Sequence, residues 1–253
     1  MAHVIAIHSF RGGTGKSNTT ANVAAVMARR GLRVGVIDTD IQSPGIHILF
    51  GLAGETIEHS LNDYLWERCG IEETAHEVTA VVGPPETVSG SLYLIPASIR
   101  PGEIARVLRS GYNVNLLSDG IRQAIQTLDL DVLLIDTHPG LNEETLLSIA
   151  LAHTLLVVMR PDEQDYEGTG VTIRVARRLG VERLLVVVNK TPSAFNPAQV
   201  KAQVAETYEC EVAVVLPHAD ELMTLASRDL FVTQYPHHPL SVLYEQLTSA
   251  LLS

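Results

Sequence analysis

Short runs of consecutive apolar residues, rich in valine, isoleucine and leucine, alternate along the chain with longer stretches of mixed polarity. The runs occupy residues 4–8, 34–38, 92–95, 132–136, 155–159, 184–189 and 212–216. They lack the polar alternation of a half-exposed strand, as strands covered on both faces do. Helices are predicted between them, over residues 16–30, 104–108, 114–128, 143–152, 168–179 and 197–208, with a last one around 240–252. The alternation predicts an α/β fold with a doubly wound, mostly parallel sheet and helices on both faces. Residues 54–90 break the pattern, because Gly83-Pro84-Pro85 and Ser89-Gly90 punctuate a stretch without a clear period. That stretch reads as a helix near 61–66 followed by a long excursion, and residues 1–253 read as a single domain without repeats.

Composition narrows the classes. With 253 residues, 46% hydrophobic and 19% charged, the chain is too apolar for disorder. No apolar run approaches the roughly 18 residues of a membrane span. The formal net charge of −11 repels nucleic acid and anionic lipid, so either partner requires a local basic patch. Cys69 and Cys210 are too few and too far apart in sequence for a disulfide framework or a CxxC metal site, which points to a reducing compartment. The chain runs from Met1 straight into a strand, so no secretory leader and a cytoplasmic location are expected.

The strongest chemical signal is Ser9-Phe10-Arg11-Gly12-Gly13-Thr14-Gly15-Lys16-Ser17-Asn18, between the first strand and the first helix. A glycine-rich turn there lets backbone N–H groups close around phosphate oxygens at a helix N-terminus. Lys16 adds a charge for β- and γ-phosphates, and Ser17 offers a hydroxyl to Mg²⁺. Phe10 stands where the strict GxxxxGK(S/T) pattern has its first glycine. Asp38 and Asp40 follow the second strand, and Asp136 ends the run at 132–136. Carboxyl ends of neighbouring strands converge on the ligand crevice of such a sheet, and carboxylates suit Mg²⁺.

In order, these motifs resemble the ParA/MinD family of deviant P-loop ATPases, relatives of the nitrogenase iron protein. The family pattern is KGGxGK(S/T), then DxD, then an aspartate in a D-x-P-x-G-like switch. It matches Arg11 to Ser17, Asp38 to Asp40, and Asp136-Thr137-His138-Pro139-Gly140. Val187-Val188-Asn189-Lys190 resembles the family's adenine-reading asparagine, and Leu216-Pro217-His218-Ala219-Asp220 its adenine-flanking loop. The resemblance implies ATP and Mg²⁺ as cofactors: Gly12, Gly13, Thr14, Gly15, Lys16, Ser17 and Asn18 cradle phosphate, and Asn189, Pro217 and Asp220 flank the base. It implies that Ser17, Asp38 and Asp136 serve the metal and that Asp40 orients the attacking water. It also implies a homodimer with ATP at its interface and an adaptor protein that stimulates hydrolysis. Arg11 takes the place of the signature lysine, which reaches across that dimer to the partner's phosphates. Arg11 either crosses or anchors its own loop; in the second case Arg160, ending the run at 155–159, is the next candidate.

The partner is less legible. Residues 239–253 hold no Lys or Arg, so a membrane is not expected, and Leu240, Leu243, Leu247 and Leu251 are expected to pack on the domain. Arg174, Arg177 and Arg178 share one face of a predicted helix, with Arg183 close behind, and Arg100, Arg106 and Arg109 form a second cluster. Such patches bind DNA without sequence preference, or are solvated helix faces. The acidic residues 162–167 read as a loop, a dimer contact or a seat for a basic activator, and His138 lies inside the second switch. His237-His238 has no third ligand nearby for a metal site. The overall expectation is an ATP-dependent, dimerising ATPase that positions or partitions a cargo (DNA, a protein organelle or a polar complex), with the nucleoid as matrix. Its rivals are a nucleotide-dependent protein-interaction switch without DNA, and a metabolic or maturation enzyme on the same scaffold. A metal-cluster carrier of that last kind needs an interfacial cysteine pair.

Overall fold

The computed structural model describes residues 2–253; residue 1, where the expected domain begins, lies outside the described residues. Among the described residues eight strands form one sheet: β1 (His3–His8), β2 (Arg33–Asp38), β3 (His76–Glu77), β4 (Ser91–Ile95), β5 (Val132–Asp136), β6 (Thr154–Met159), β7 (Arg183–Thr191) and β8 (Glu211–Pro217). Their order is β3-β4-β2-β5-β1-β6-β7-β8, parallel throughout except for the short edge strand β3. The helices are α1 (Lys16–Arg29), α2 (Ile46–Leu49), α3 (Leu61–Leu65), α4 (Pro101–Ser110), α5 (Val114–Thr127), α6 (Glu143–Leu151), α7 (Glu163–Arg178), α8 (Pro197–Tyr208), α9 (Asp220–Leu225), α10 (Phe231–Gln234) and α11 (Pro239–Leu252). Among the described residues no helix is long and apolar enough to cross a membrane.

Both faces of the sheet are covered, which explains the unbroken apolar runs. Ile5 and Ile7 of β1 face a layer built with α1, α10 and α11, while Val4 and Ala6 face one built with α5, α6, α7 and α8. β5 divides likewise, with Val132 and Leu134 on the first side and Leu133 and Ile135 on the second. α1 is buried on nearly every side from Thr19 to Ala28, and its small residues let α11 approach closely. Leu240, Leu247 and Leu251 of α11 are buried and Leu243 partly so, as the apolar stripe predicts.

Residues 54–90 follow the expected helix and excursion, whereas α2, α9 and α10 were not expected and α4 and α7 begin before their expected starts. Residues 54–90 hold α3, the two-residue β3 and four short 3₁₀ turns, elements too short to generate a period, wrapped onto the β4 edge of the sheet. α7 begins at Glu163, five residues before the predicted start, because Asp162 caps it by accepting from Asp165 N at 3.1 Å. Acids at the first turn are favoured there by the helix dipole. The acidic stretch is therefore a helix start and not a loop.

The parallel order brings the carboxyl ends of β2, β5 and β1 side by side, with Asp38 level with Asp136 and Asp136 level with Ile7. At the end of β1, His8 is fully buried and its Nδ1 donates to Thr137 Oγ1 at 2.8 Å, since that hydroxyl spends its own proton on Ile7 O. Burial first, then Lys16 and His138, hold its pKa down to about 3. An unfolded histidine titrates near 6.5, so below that pH the unfolded state binds the extra proton. The stability this residue confers is complete above 6.5 and is lost as pH falls towards 3, about 2 kcal/mol of it by pH 5. Urea denaturation at pH 7 and pH 5 is expected to show that loss in the wild type but not in His8→Asn, which keeps a donor for Thr137; equal acid sensitivity in both proteins would refute it.

Candidate functional site

The turn from Ser9 to Gly15 is shaped by glycine where the backbone demands it. Gly15, at φ +93°, is the N-cap of α1, and a Cβ there would collide with the Asn189 amide. No side chain caps α1 and no acid occupies its first turn, which leaves its leading N–H groups to an anion. Phe10, in place of the pattern's first glycine, packs on Gly168 of α7, where any Cβ would strike its ring. The missing glycine is thus a loop anchor. Residues 12–18 line a cavity of about 270 Å³ together with Asp40, Ser43 and Pro139.

At its floor, Lys16 Nζ lies 2.9 Å from Asp136 Oδ1, both side chains being over nine-tenths buried. Thr20 Oγ1 donates to the same oxygen at 3.0 Å, and Ser17 Oγ donates to Oδ2 at 2.7 Å. Asp136 therefore occupies the cation and the hydroxyl that the sequence assigns to phosphate and metal. Thr20 was not singled out in the sequence, although its place one turn after Lys16 puts it on the same helix face.

Asp38 accepts from Asp40 N through Oδ1 at 2.9 Å, while its Oδ2 is buried without a partner. Burial, followed by the neighbouring Asp136 charge, drives its pKa well above the carboxylate range. An orphaned carboxylate oxygen beside a second carboxylate and a serine hydroxyl fits a hydrated divalent cation, which would relieve both penalties. Asp40 lines the cavity; its Oδ1 lies 2.7 Å from His138 Nδ1 and accepts from Ser43 N and Oγ at 3.1 and 2.9 Å.

Within the loop, next to Gly12, Arg11 Nη1 reaches Asp162 at 3.2 Å and Asp165 at 3.5 Å. Arg160 pairs with the same two carboxylates, at 3.1 and 3.3 Å. Both candidates for a contact in trans are thus held in one four-charge cluster within their own chain.

Of the residues expected to flank the base, Asn189 meets the loop directly. Asn189 is buried and donates to Thr14 O at 2.8 Å, and Lys190, at φ +54°, donates from Nζ to Gly13 O at 2.8 Å. Lys190 and Asp220 border an adjoining cavity of about 520 Å³ with Pro192, Ser193 and His218, and Pro217 is exposed beside it. A larger groove of about 690 Å³ lies between α7 and α8, on Tyr166, Arg174 and Tyr208, away from the loop.

The basic clusters fare differently. Arg177 donates to the carbonyls of Tyr208 and Glu209 at 2.6 and 3.0 Å, and Arg183 pairs with Glu211 at 3.3 Å. Among the described residues Arg174 and Arg178 pair with no carboxylate and are exposed. In the second cluster Arg106 lies over the Trp66 ring at 3.7 Å. Cys69 follows α3, which is tied to the end of β4, whereas Cys210 precedes β8 at the opposite edge of the sheet. Burial pushes both thiols up.

A family model for ParA, described as NUBPL iron-transfer P-loop NTPase, matches residues 1–252. An uncharacterized ATP-binding protein of Methanocaldococcus jannaschii is 28% identical over 253 residues, covering 100% of this chain and 88% of that protein. An iron-sulfur cluster carrier protein of Pseudomonas fragi is 26% identical, covering 97% and 83%. The septum site-determining protein MinD of Thermotoga maritima is 24% identical, covering 98% and 87%. Among solved structures, the cell division ATPase MinD of Pyrococcus furiosus superposes with a TM-score of 0.81 at 19% identity, covering 100% and 99%.

The strain on Asp38 gives a stability prediction. Asp38→Asn keeps the acceptor for Asp40 N and removes the ionisable group whose burial is penalised, so the ligand-free protein should gain about 1 kcal/mol in chemical denaturation. The same change should weaken Mg²⁺-dependent nucleotide binding about tenfold or more by calorimetry. A variant that loses stability would show that the carboxylate is not strained.

Proposed function

The chain belongs to the ParA family of P-loop NTPases, and from that membership we propose an ATP- and Mg²⁺-dependent switch ATPase that dimerises around ATP to position or partition a cargo. The observation that carries this reading is the closed Lys16–Asp136 pair. Phosphate must displace Asp136 from Lys16 and Ser17, so nucleotide occupancy is coupled to the loop after β5 and hence to the surface it forms.

In this reading the N–H groups of residues 12–18 and Lys16 bind the phosphates, and Ser17, Asp136 and Asp38 hold Mg²⁺ directly or through water. Mg²⁺, when bound, neutralises charge on the β- and γ-phosphates. Asp40 orients the attacking water, and hydrolysis rests on positioning and charge. Arg11 leaves Asp162 and Asp165 to reach the partner's phosphates. Asn189 and Lys190 hold the loop from behind while Pro217 and Asp220 flank the base.

DNA contact is the narrower part of the proposal and falls to Arg174 and Arg178, because Arg177 and Arg183 are already engaged. An iron-sulfur carrier has less support: two cysteines at opposite sheet edges, with thiolates disfavoured, make a poor cluster seat.

Lys16→Ala is expected to abolish ATP binding in calorimetry, and unchanged affinity would overturn the phosphate-loop assignment. Arg11→Ala should keep nucleotide affinity within about threefold and lose ATP-dependent dimers in light scattering; persistent dimers would remove Arg11 from the interface. Asp40→Ala held with ATP and Mg²⁺ should retain DNA on a filter, unlike the ADP form. Two arginines per protomer give a slope of log affinity against log salt of about −4. Absence of retention in both states would replace DNA by a protein partner.

A further inference from the structure

Asp40 and His138 come from different strand ends, after β2 and after β5, and meet at 2.7 Å. We infer that His138 is a positioning residue for Asp40: together with Ser43 it pins Oδ1, so that Oδ2 is the one carboxylate oxygen presented to the attacking water. This rests on the proposed role of Asp40.

The hydrogen-bond inventory carries it. A carboxylate offers no proton, so His138 Nδ1 must be the donor. Asp40 Oδ1 then receives three donors: His138 Nδ1, Ser43 N and Ser43 Oγ. Among the described residues Oδ2 receives none, and Asp40 lines the cavity above Lys16 and Ser17. A side chain fixed through one oxygen has lost most of its rotational freedom, and the other oxygen is aimed in advance. His138 is itself held, since its carbonyl accepts from Thr145 Oγ1 at 3.1 Å, and Thr145 lies in the first turn of α6. The pattern D-x-P-x-G has proline at this position, a residue without a side-chain donor, so the contact is this chain's own departure. It also joins the loop that must move with Asp136 to the carboxylate proposed for catalysis. Displacing one therefore re-aims the other.

The test compares steady-state ATP turnover with Mg²⁺ in wild type, Asp40→Ala, His138→Leu, His138→Asn and the Asp40→Ala/His138→Leu double variant, with ATP affinity measured separately by calorimetry. His138→Leu should lower kcat about tenfold to a hundredfold while KM and ATP affinity stay within about twofold. His138→Asn, whose amide nitrogen falls near the place of Nδ1, should recover kcat to within about threefold of wild type. The double variant should be no slower than Asp40→Ala, because the two groups act as a unit. Full activity in His138→Leu, failure of His138→Asn to rescue, or an additive double variant would each overturn the inference while Asp40→Ala keeps only a small residual rate. Wild-type turnover in Asp40→Ala would instead overturn the role of Asp40 itself.

Discussion

The buried pair between Lys16 and Asp136 is the interaction on which the site depends. Taking an ammonium and a carboxylate out of water is costly, and the cost is met only when each finds the other and the remaining valences are filled. Thr20 and Ser17 fill them here. The pair joins the first turn of α1 to the end of β5, so the loop cannot relax without unburying a charge. In the proposed function phosphate competes for a place already taken, so that binding begins with an exchange of counter-ions and the displaced carboxylate transmits occupancy to the loop behind it.

Asp38 shows the other side of this arrangement. A buried carboxylate with one orphaned oxygen, level with a second carboxylate, is a standing destabilisation of the ligand-free fold. The sheet tolerates it because β2 and β5 lie inside, flanked by neighbours on both edges and packed on both faces. The enclosed interior of the sheet thus carries a carboxyl whose burial is penalised. That is where a cation site gains most from being preorganised.

The sequence made much of this legible, for identifiable reasons. The expected strands were found because burial on both faces leaves an unbroken apolar run, a signal that owes nothing to partners elsewhere. Lys16, Ser17, Asp38, Asp40 and Asp136 could be picked out because strand ends in a parallel sheet converge whatever lies between them. The start of α7 was missed because Asp162 and Asp165 look like a solvated charge run until one is seen capping the other's N–H. The arginines of α7 share a helical face in sequence, yet Arg177 is spent on carbonyls at the end of α8, a fact of packing that spacing along one helix does not contain. Residues 54–90 resisted because two-residue strands and single 3₁₀ turns have no period to detect. The hydrogen bond from His138 to Asp40 spans 98 positions and depends on register between loops, which no local pattern encodes.

The substitution of arginine for the signature lysine acquires a physical meaning from the cluster of Arg11 and Arg160 with Asp162 and Asp165. Arg11 touches both Asp162 and Asp165 through a single nitrogen, Nη1. A lysine at that place would commit its only charged centre to the two acids and would have to abandon them to bind anything else. A guanidinium keeps Nε and Nη2 as further donors in a fixed plane. In the proposed dimer it can therefore meet a second anion before releasing the first, which lowers the cost of the exchange. Arg160 remains behind on the same carboxylates, at 3.1 and 3.3 Å, when Arg11 departs. The negative charge left over lies at the N-terminus of α7, where the helix dipole favours it. The cluster thus tolerates the loss of one cation, as a reversible contact in trans requires.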